Sequence, residues 1–253
     1  MAKLLSEEVP NMPVILIVGP AGSGKTTFLT RMRWPGKKTY ILDIDKNLAG
    51  PRKVARLQGY DISHVEYDHI DVDDNGVPVP IRQQFRRLGV LLDRAILDPT
   101  IGIIGITSTT TLAPRIMDET CIQLGKPEGV EVEKFEWRKY SNMWQYFIAK
   151  LRTAGKMIVM DGHLQTDRGE IDKVLKMALA LEGKVGDLVP MQVTDYWLAG
   201  VDQEVQGGKT IDKYMLQTVQ TNVYPNMKAS LDLPRRFEAT QAMADQVIKQ
   251  VTH

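Results

Sequence analysis

Five consecutive apolar residues followed at once by a glycine-rich turn constrain this chain more than any other feature. The apolar run spans residues 14–18 (VILIV), and such a run is typical of a strand buried on both faces in a parallel sheet. The turn matches the pattern G-x-x-x-x-G-K-[ST], and residues 25–32 are predicted to form a helix after it. The nine residues of the turn are Gly19, Pro20, Ala21, Gly22, Ser23, Gly24, Lys25, Thr26 and Thr27.

Each part of this turn has a physical task. Glycines allow successive backbone N–H groups to point into one concavity that binds anions, and the positive end of the following helix adds to that effect. Lys25 is placed to reach β- and γ-phosphates, and the Thr26 hydroxyl is placed to ligate Mg²⁺. All nine residues are therefore predicted to bind a nucleoside triphosphate together with Mg²⁺.

Alternating strands and helices extend this pattern along the chain. Apolar runs predict strands at 39–44, 101–106 and 157–160, and helical spacing predicts helices over 81–97 and around Trp144, Phe147, Ile148 and Leu151. Shorter strands at 192–198 and 210–218 precede a closing helix at 237–251. Because no low-complexity linker interrupts the chain, we expect one three-layer α/β domain over 13–253, preceded by a short arm at 1–12.

Composition excludes several classes of protein. The chain has 32 Lys and Arg against 31 Asp and Glu, whereas disordered tails and general nucleic-acid binders carry a clear charge excess. Cys121 is the single cysteine of the 253 residues, so no internal disulfide is expected. No signal peptide or apolar run of about 18 residues is visible, and we expect no membrane partner and a cytoplasmic location.

Two other patterns do not support a metal site. Residues 71–76 match the first half of a calcium loop, but the twelfth position holds Arg82 instead of a bidentate glutamate. The Asn75-Gly76 pair instead predicts a hairpin turn within 65–79. His64 and His69 have no metal-ligand spacing with a cysteine, so zinc is not expected.

The glycine-rich turn at 19–27, called the loop from here on, and three further segments resemble the RecA-like P-loop ATPases. The resemblance is to phage nucleotide-binding proteins related to the Sak-type single-strand annealing ATPases especially. The segments are TYILDIDKNLAG at 39–50, IIGITSTTTL at 103–112 and MIVMDGH at 157–163. The resemblance covers most of 12–235. It implies a mostly parallel RecA-like sheet with antiparallel C-terminal strands, Asp45 as the carboxylate that activates water, and His163 as the γ-phosphate sensor.

One position departs from that family. Where the family has the Walker B aspartate, this chain has Thr107, and a hydroxyl is a poorer partner for Mg²⁺ than a carboxylate. Three explanations stay open: Asp161 on the neighbouring strand substitutes as the metal-site carboxylate, the protein hydrolyses nucleotide slowly, or Thr107 is not the equivalent position. An ordinary turn role for Asp161 beside Gly162 is the alternative. We expect weak or partner-dependent ATPase activity.

The resemblance also implies a homo-oligomer that completes its sites between subunits. Lys228 is the candidate for a cation that reaches the neighbouring subunit's γ-phosphate, with Arg235 as the second choice. The alternative for both is a solvated surface charge.

For single-stranded DNA, the resemblance points to a loop at 163–188, whose basic residues would neutralise phosphates. These residues are Arg168, Lys173, Lys176 and Lys184. Trp137 and Tyr140 offer the nearest aromatic residues for base stacking. The alternative for this pair is the start of an amphipathic helix with Trp144 and Phe147 in the core.

The resemblance thus implies an ATP-binding ATPase that acts on single-stranded DNA in phage recombination or replication, in the host cytoplasm. Two other functions stay open. A small-molecule or nucleotide kinase uses the same loop but usually carries an arginine-rich lid, and the only early arginine pair, Arg86-Arg87, lies in a predicted helix. A non-catalytic, nucleotide-dependent assembly factor is favoured by Thr107.

Overall fold

The VILIV run forms a central strand of an eight-stranded sheet in the computed structural model, which describes residues 12–127, 133–168 and 174–252. The strands are β1 (Val14–Val18), β2 (Lys38–Asp43), β3 (Val65–Asp68), β4 (Ile101–Thr107), β5 (Met157–Gly162), β6 (Leu164–Arg168), β7 (Val174–Leu179), β8 (Asp195–Gln206), β9 (Lys209–Gln217) and β10 (Arg236–Glu238). Almost all of the expected N-terminal arm, residues 1–11, lies outside the described residues.

Seven α-helices are described in these ranges. They are α1 (Lys25–Arg31), α2 (Ala49–Gln58), α3 (Gln84–Leu97), α4 (Thr109–Gln123), α5 (Lys134–Arg152), α6 (Val185–Gln192) and α7 (Gln241–Thr252), with a 3₁₀ turn at Ile81–Gln83. None of these helices is long and apolar enough to cross a membrane.

The strands of the main sheet lie in the order β10-β9-β8-β1-β5-β4-β2-β3. From β8 to β3 every neighbouring pair is parallel, whereas β8, β9 and β10 pair antiparallel. The predicted α/β class, with a mostly parallel sheet and antiparallel C-terminal strands, is confirmed.

Two apolar cores lie on opposite faces of this sheet. Alternate residues of β1 point to opposite faces: Val14, Leu16 and Val18 join one core with α3, α4, α5 and α6. Ile15 and Ile17 join the other core with α1 and α7. This arrangement of helices on both faces is the predicted three-layer architecture, and it explains why β1 is apolar at every position.

Several predicted elements end elsewhere than expected. The predicted loop at 163–188 contains the antiparallel pair β6–β7, which forms a separate sheet, and the start of α6. Phe237 lies in β10, not in the closing helix, because it packs against Trp197 in the core at 6.2 Å between ring centroids. The helix begins instead at Gln241.

The predicted hairpin around Asn75-Gly76 is shorter than expected. Gly76 takes the positive φ of 77° that such a turn requires, but only a single antiparallel bridge joins Val72 to Pro78. Proline has no N–H to donate, so Pro78 and Pro80 prevent a longer ladder.

Parallel pairing brings four strand ends to one edge. Val18 of β1 is in register with Gly162 of β5, and Asp43 of β2 with Thr107 of β4. The glycine-rich turn and the ends of β2, β4 and β5 therefore meet at the carboxyl edge of the sheet, where open α/β sheets bind ligands.

Candidate nucleotide-binding site

The loop after β1 has the backbone that an anion site needs. Gly22 and Gly24 have φ of 76° and 81°, and Gly24 is the N-terminal cap of α1. A Cβ on Gly19 would lie 2.4 Å from the carbonyl oxygen of Ala199, so only glycine fits there. The loop therefore wraps the N-terminal end of α1, the end of a helix at which backbone N–H groups attract anions.

Lys25 is held across this loop. Its Nζ donates hydrogen bonds to the carbonyl oxygens of Gly19 at 3.0 Å and Pro20 at 2.9 Å. Burial lowers the pKa of the Lys25 ammonium below its ordinary value, while the negative charges of Asp161 and Asp45 oppose that shift. The lysine is thus positioned in a concavity that contains two carboxylates.

Thr26 and Asp161 form the central contact of the site. The Thr26 hydroxyl donates to Oδ2 of Asp161 at 2.9 Å, and the Ser108 N–H donates to Oδ1 at 2.6 Å. Burial raises the pKa of the Asp161 carboxyl, opposed by the Ser108 N–H, the Lys25 charge and the Thr26 hydroxyl. A buried carboxylate therefore lies against the predicted metal-binding hydroxyl.

Ser108 reaches Asp161 through an unusual backbone conformation. Ser108 has φ of 57°, and Lys46, which follows β2, has φ of 56°. These two are the only non-glycine residues with positive φ among the described residues, and both lie at the carboxyl edge of the sheet. Such conformations cost free energy and concentrate at functional sites.

Thr107, which the resemblance places at the Walker B position, hydrogen-bonds through its side chain to the end of β2. Its hydroxyl donates to Oδ1 of Asp43 at 3.1 Å and accepts from the Ile44 N–H at 3.0 Å. Thr107 and Asp43 are almost fully buried. Thr107 therefore joins the ends of β4 and β2, while the carboxylate nearest Thr26 comes from β5.

A cleft of about 340 Å³ unites most of the predicted residues. It is lined by the loop and α1 from Ala21 to Thr27, and by Asp45, Asn47, Gly50, Pro51, Thr107, Asp161 and His163. Asp45 and His163 thus both face the cleft that Lys25 and Thr26 enter. Gly19 and Pro20 support it through their contacts with Lys25.

Lys228 lies away from this cleft in its own chain. Its backbone pairs with Tyr196, and its Nζ donates to the carbonyl oxygen of Met191, at the end of α6, at 3.0 Å. Because α6 leads into the amino end of β8, Lys228 is at the opposite end of the sheet from the loop. Burial lowers the pKa of its ammonium.

The residues proposed for DNA contact that the structure describes lie on several different elements. Tyr140 is 2% exposed and packs edge-to-face on Trp137, with 5.7 Å between ring centroids, inside α5. The amphipathic-helix alternative for this stretch is therefore the one that the fold shows. Lys184 is exposed before α6. Arg168 lies on β6 and Lys176 on β7, and Lys173 lies outside the described residues.

Ser108 and Asp43 were not predicted to be part of the site. The run Ser108-Thr109-Thr110-Thr111 carried a usable signal, because serine caps helices and Ser108 caps α4 by accepting from the Thr111 N–H. No sequence signal pointed to Asp43, because its contact with Thr107 depends on the pairing of β2 with β4.

Comparisons with known proteins find one matching family and similar solved structures. The KaiC-like protein PH0186 from Pyrococcus horikoshii OT3 is similar in structure, with 13% identity, a TM-score of 0.41, and coverage of 81% of this chain and 77% of that one. No curated protein matches the chain. The AAA domain family AAA_24 matches residues 11–226, so the chain belongs to that family of P-loop ATPases.

Proposed function

We propose that the protein binds ATP with Mg²⁺, hydrolyses it slowly or with help from a partner, and acts as an oligomer on single-stranded DNA in phage recombination or replication. The observation that carries the nucleotide part is the contact between Thr26 and Asp161 beside Lys25. Family membership supports an ATPase, and the resemblance noted from the sequence supports the DNA role.

The donor atoms at the site suit Mg²⁺. This ion prefers oxygen ligands and is usually held by one or two carboxylates together with substrate phosphates. By donating its proton to Asp161, the Thr26 hydroxyl keeps its lone pairs available for the metal. Thr26 and Asp161 would hold the ion, which would neutralise charge on the phosphates.

The other residues of the cleft have separable tasks. Lys25 would exchange its carbonyl partners for β- and γ-phosphate oxygens. Asp45 would orient the attacking water, and His163 at the end of β5 would contact the γ-phosphate. Both assignments rest on their position in the cleft and on the resemblance to the RecA-like ATPases.

Slow hydrolysis is supported by the state of Thr107. Its hydroxyl bonds to Asp43 and Ile44, so the carboxylate that contacts Thr26 is that of Asp161. The same observation supports a second candidate function, a nucleotide-dependent assembly factor that binds ATP without turning it over.

An oligomer would complete the site and concentrate positive charge. The chain carries a net charge of only +1, so a DNA surface would need basic residues from several subunits in line. Lys228 would reach the neighbouring subunit's γ-phosphate, and exposed Lys184 would contribute to the DNA surface.

Fluorescence anisotropy with labelled single-stranded DNA tests this function, with and without ATP and Mg²⁺. DNA binding that nucleotide strengthens or weakens, together with DNA-stimulated phosphate release, is the expected result. ATP binding with neither activity would favour the assembly factor. Phosphoryl transfer to a nucleoside monophosphate without DNA binding would favour the kinase. Measuring particle mass with and without nucleotide tests the oligomer.

A further inference from the structure

A second cavity of about 180 Å³ adjoins the phosphate cleft on the side of α2 and β9. The two share the loop residues Gly22, Gly24 and Thr27, and Gly50 of α2. The remaining walls of the second cavity are Arg31, Val54, Tyr214 and Ala239. Together the two spaces fall within the usual size of small-molecule sites, about 300–1,000 Å³.

Tyr214 reaches this cavity because the β8–β9 hairpin continues beyond β1. Leu198 of β8 pairs with Val18, the last residue of β1, and Val201 farther along β8 pairs with Tyr214. The half-buried tyrosine ring lies directly on the loop, since a Cβ on Gly24 would be 2.9 Å from its Cδ1. An aromatic ring is therefore fixed at the exit from the phosphate cleft.

The distribution of charge sets the direction in which a nucleotide would lie. Lys25, Asp161 and His163 line the phosphate cleft but not the second cavity. The lysine marks the β- and γ-phosphate end. Thr27 and Arg31, one turn apart on α1, line the second cavity, which therefore lies at the opposite end of the phosphate chain.

Arg31 is not free to bind phosphate there. Its guanidinium donates to the carbonyl oxygen of Ala239 and to Oε1 of Gln58, and it lies 4.9 Å from the centroid of the Tyr60 ring. A further space of about 220 Å³ beyond it is lined by Asp212 and Glu238, among others. These carboxylates disfavour a phosphate. The end of the second cavity beside Arg31 therefore suits an uncharged group with N–H donors.

We propose that the second cavity holds the nucleoside of the bound triphosphate, with the base stacked on Tyr214. This inference rests on the proposed nucleotide site, and it assigns a nucleoside-binding residue to it. Aromatic rings and nucleobases stack favourably. Because the Tyr214 ring already packs on Gly24 of the loop, binding a base does not first have to order this side chain.

The test compares two ligands that share the phosphate chain. Binding of ATP and of inorganic tripolyphosphate, each with Mg²⁺, is measured by titration calorimetry for the wild-type protein, Tyr214→Ala and Tyr214→Phe. We expect Tyr214→Ala to weaken ATP binding about tenfold to a hundredfold and to leave tripolyphosphate binding unchanged. Tyr214→Phe keeps the ring and should bind ATP as the wild type does.

A second pair of variants controls for the possibility that Tyr214→Ala disrupts the β8–β9 hairpin. Val54→Trp fills the cavity from the opposite wall and should also weaken ATP binding selectively, whereas Leu57→Trp, on an exposed position of the same helix, should not. If ATP binds no more tightly than tripolyphosphate, or if both Tyr214→Ala and Val54→Trp bind ATP normally, the nucleoside site is wrong while the phosphate site stands. If neither ligand binds the wild-type protein, the proposed nucleotide site itself is wrong.

Discussion

The Thr26 hydroxyl donates a 2.9 Å hydrogen bond to Asp161, and this contact joins the segment that follows β1 to β5, the strand beside β1 in the sheet. Thr26 is the second residue of α1, the helix that follows β1, and Asp161 lies near the end of β5. This contact supplies a carboxylate beside the loop, whereas the resemblance expects that carboxylate at the position of Thr107. Of the three explanations that the sequence leaves open, it favours substitution by Asp161.

Replacing Asp161 by asparagine should stabilise the fold above acidic pH. The variant keeps the shape of the side chain and an acceptor for the Ser108 N–H but removes a buried charge. Because burial raises the pKa of Asp161, the native state holds the proton more tightly than the unfolded chain. The free energy of unfolding then falls as pH rises from the ordinary carboxyl pKa of 3.8 through the raised value.

At pH values above the raised pKa of Asp161, Asp161→Asn should therefore be more stable than the wild type by roughly 1 kcal/mol or more. Below pH 3.8 the difference in the free energy of unfolding should vanish. Urea unfolding across this range, without nucleotide or metal, measures it. Asp61→Asn is a matched control of opposite sign, since hydrogen bonds from Ser63 lower the pKa of Asp61. Equal stability of Asp161→Asn and wild type at every pH would contradict the prediction.

Thr107 should matter for stability more than for metal binding. Thr107→Val removes a donor to Asp43 and an acceptor for the Ile44 N–H, and leaving buried polar groups unpaired costs about 1–3 kcal/mol. We expect that loss in urea unfolding, with Mg²⁺-dependent ATP binding within a factor of about three of wild type. Thr107→Ser keeps the hydroxyl and serves as the control. A Thr107→Val protein that has lost Mg²⁺-dependent binding would instead place Thr107 at the metal.

Lys228 should act between subunits, because the phosphate loop of its own chain is at the other end of the sheet. Lys228→Ala should lower DNA-stimulated phosphate release at least tenfold, and mixing it with Lys25→Ala subunits should restore part of the activity. The control is Lys249→Ala, an exposed lysine of α7. Normal hydrolysis by Lys228→Ala would remove the residue from the mechanism.

The sequence was most informative where local chemistry decides the structure. The loop, the strand before it and the face of α3 that carries Leu88, Leu91 and Leu92 follow from glycine conformations and apolar periodicity. These features predicted the P-loop setting and the parallel sheet, and both are present.

The features that the sequence did not predict depend on which strands become neighbours. Thr107 pairs with Asp43, and Tyr214 lies on Gly24, only because the chain returns to the same edge over long sequence separations. Similarly, Phe237 continues an apolar helical pattern but lies in β10, where packing on Trp197 outweighs local propensity.

The most direct test of the account is ATP binding to Asp161→Asn, titrated with and without Mg²⁺. Removing the carboxylate from a metal site that also uses Thr26 should abolish most of the affinity gained from Mg²⁺, about tenfold or more, while Mg²⁺-free ATP binding through Lys25 and the loop persists. The contradicting result is a wild-type response to Mg²⁺ in Asp161→Asn, which would mean that another residue holds the metal.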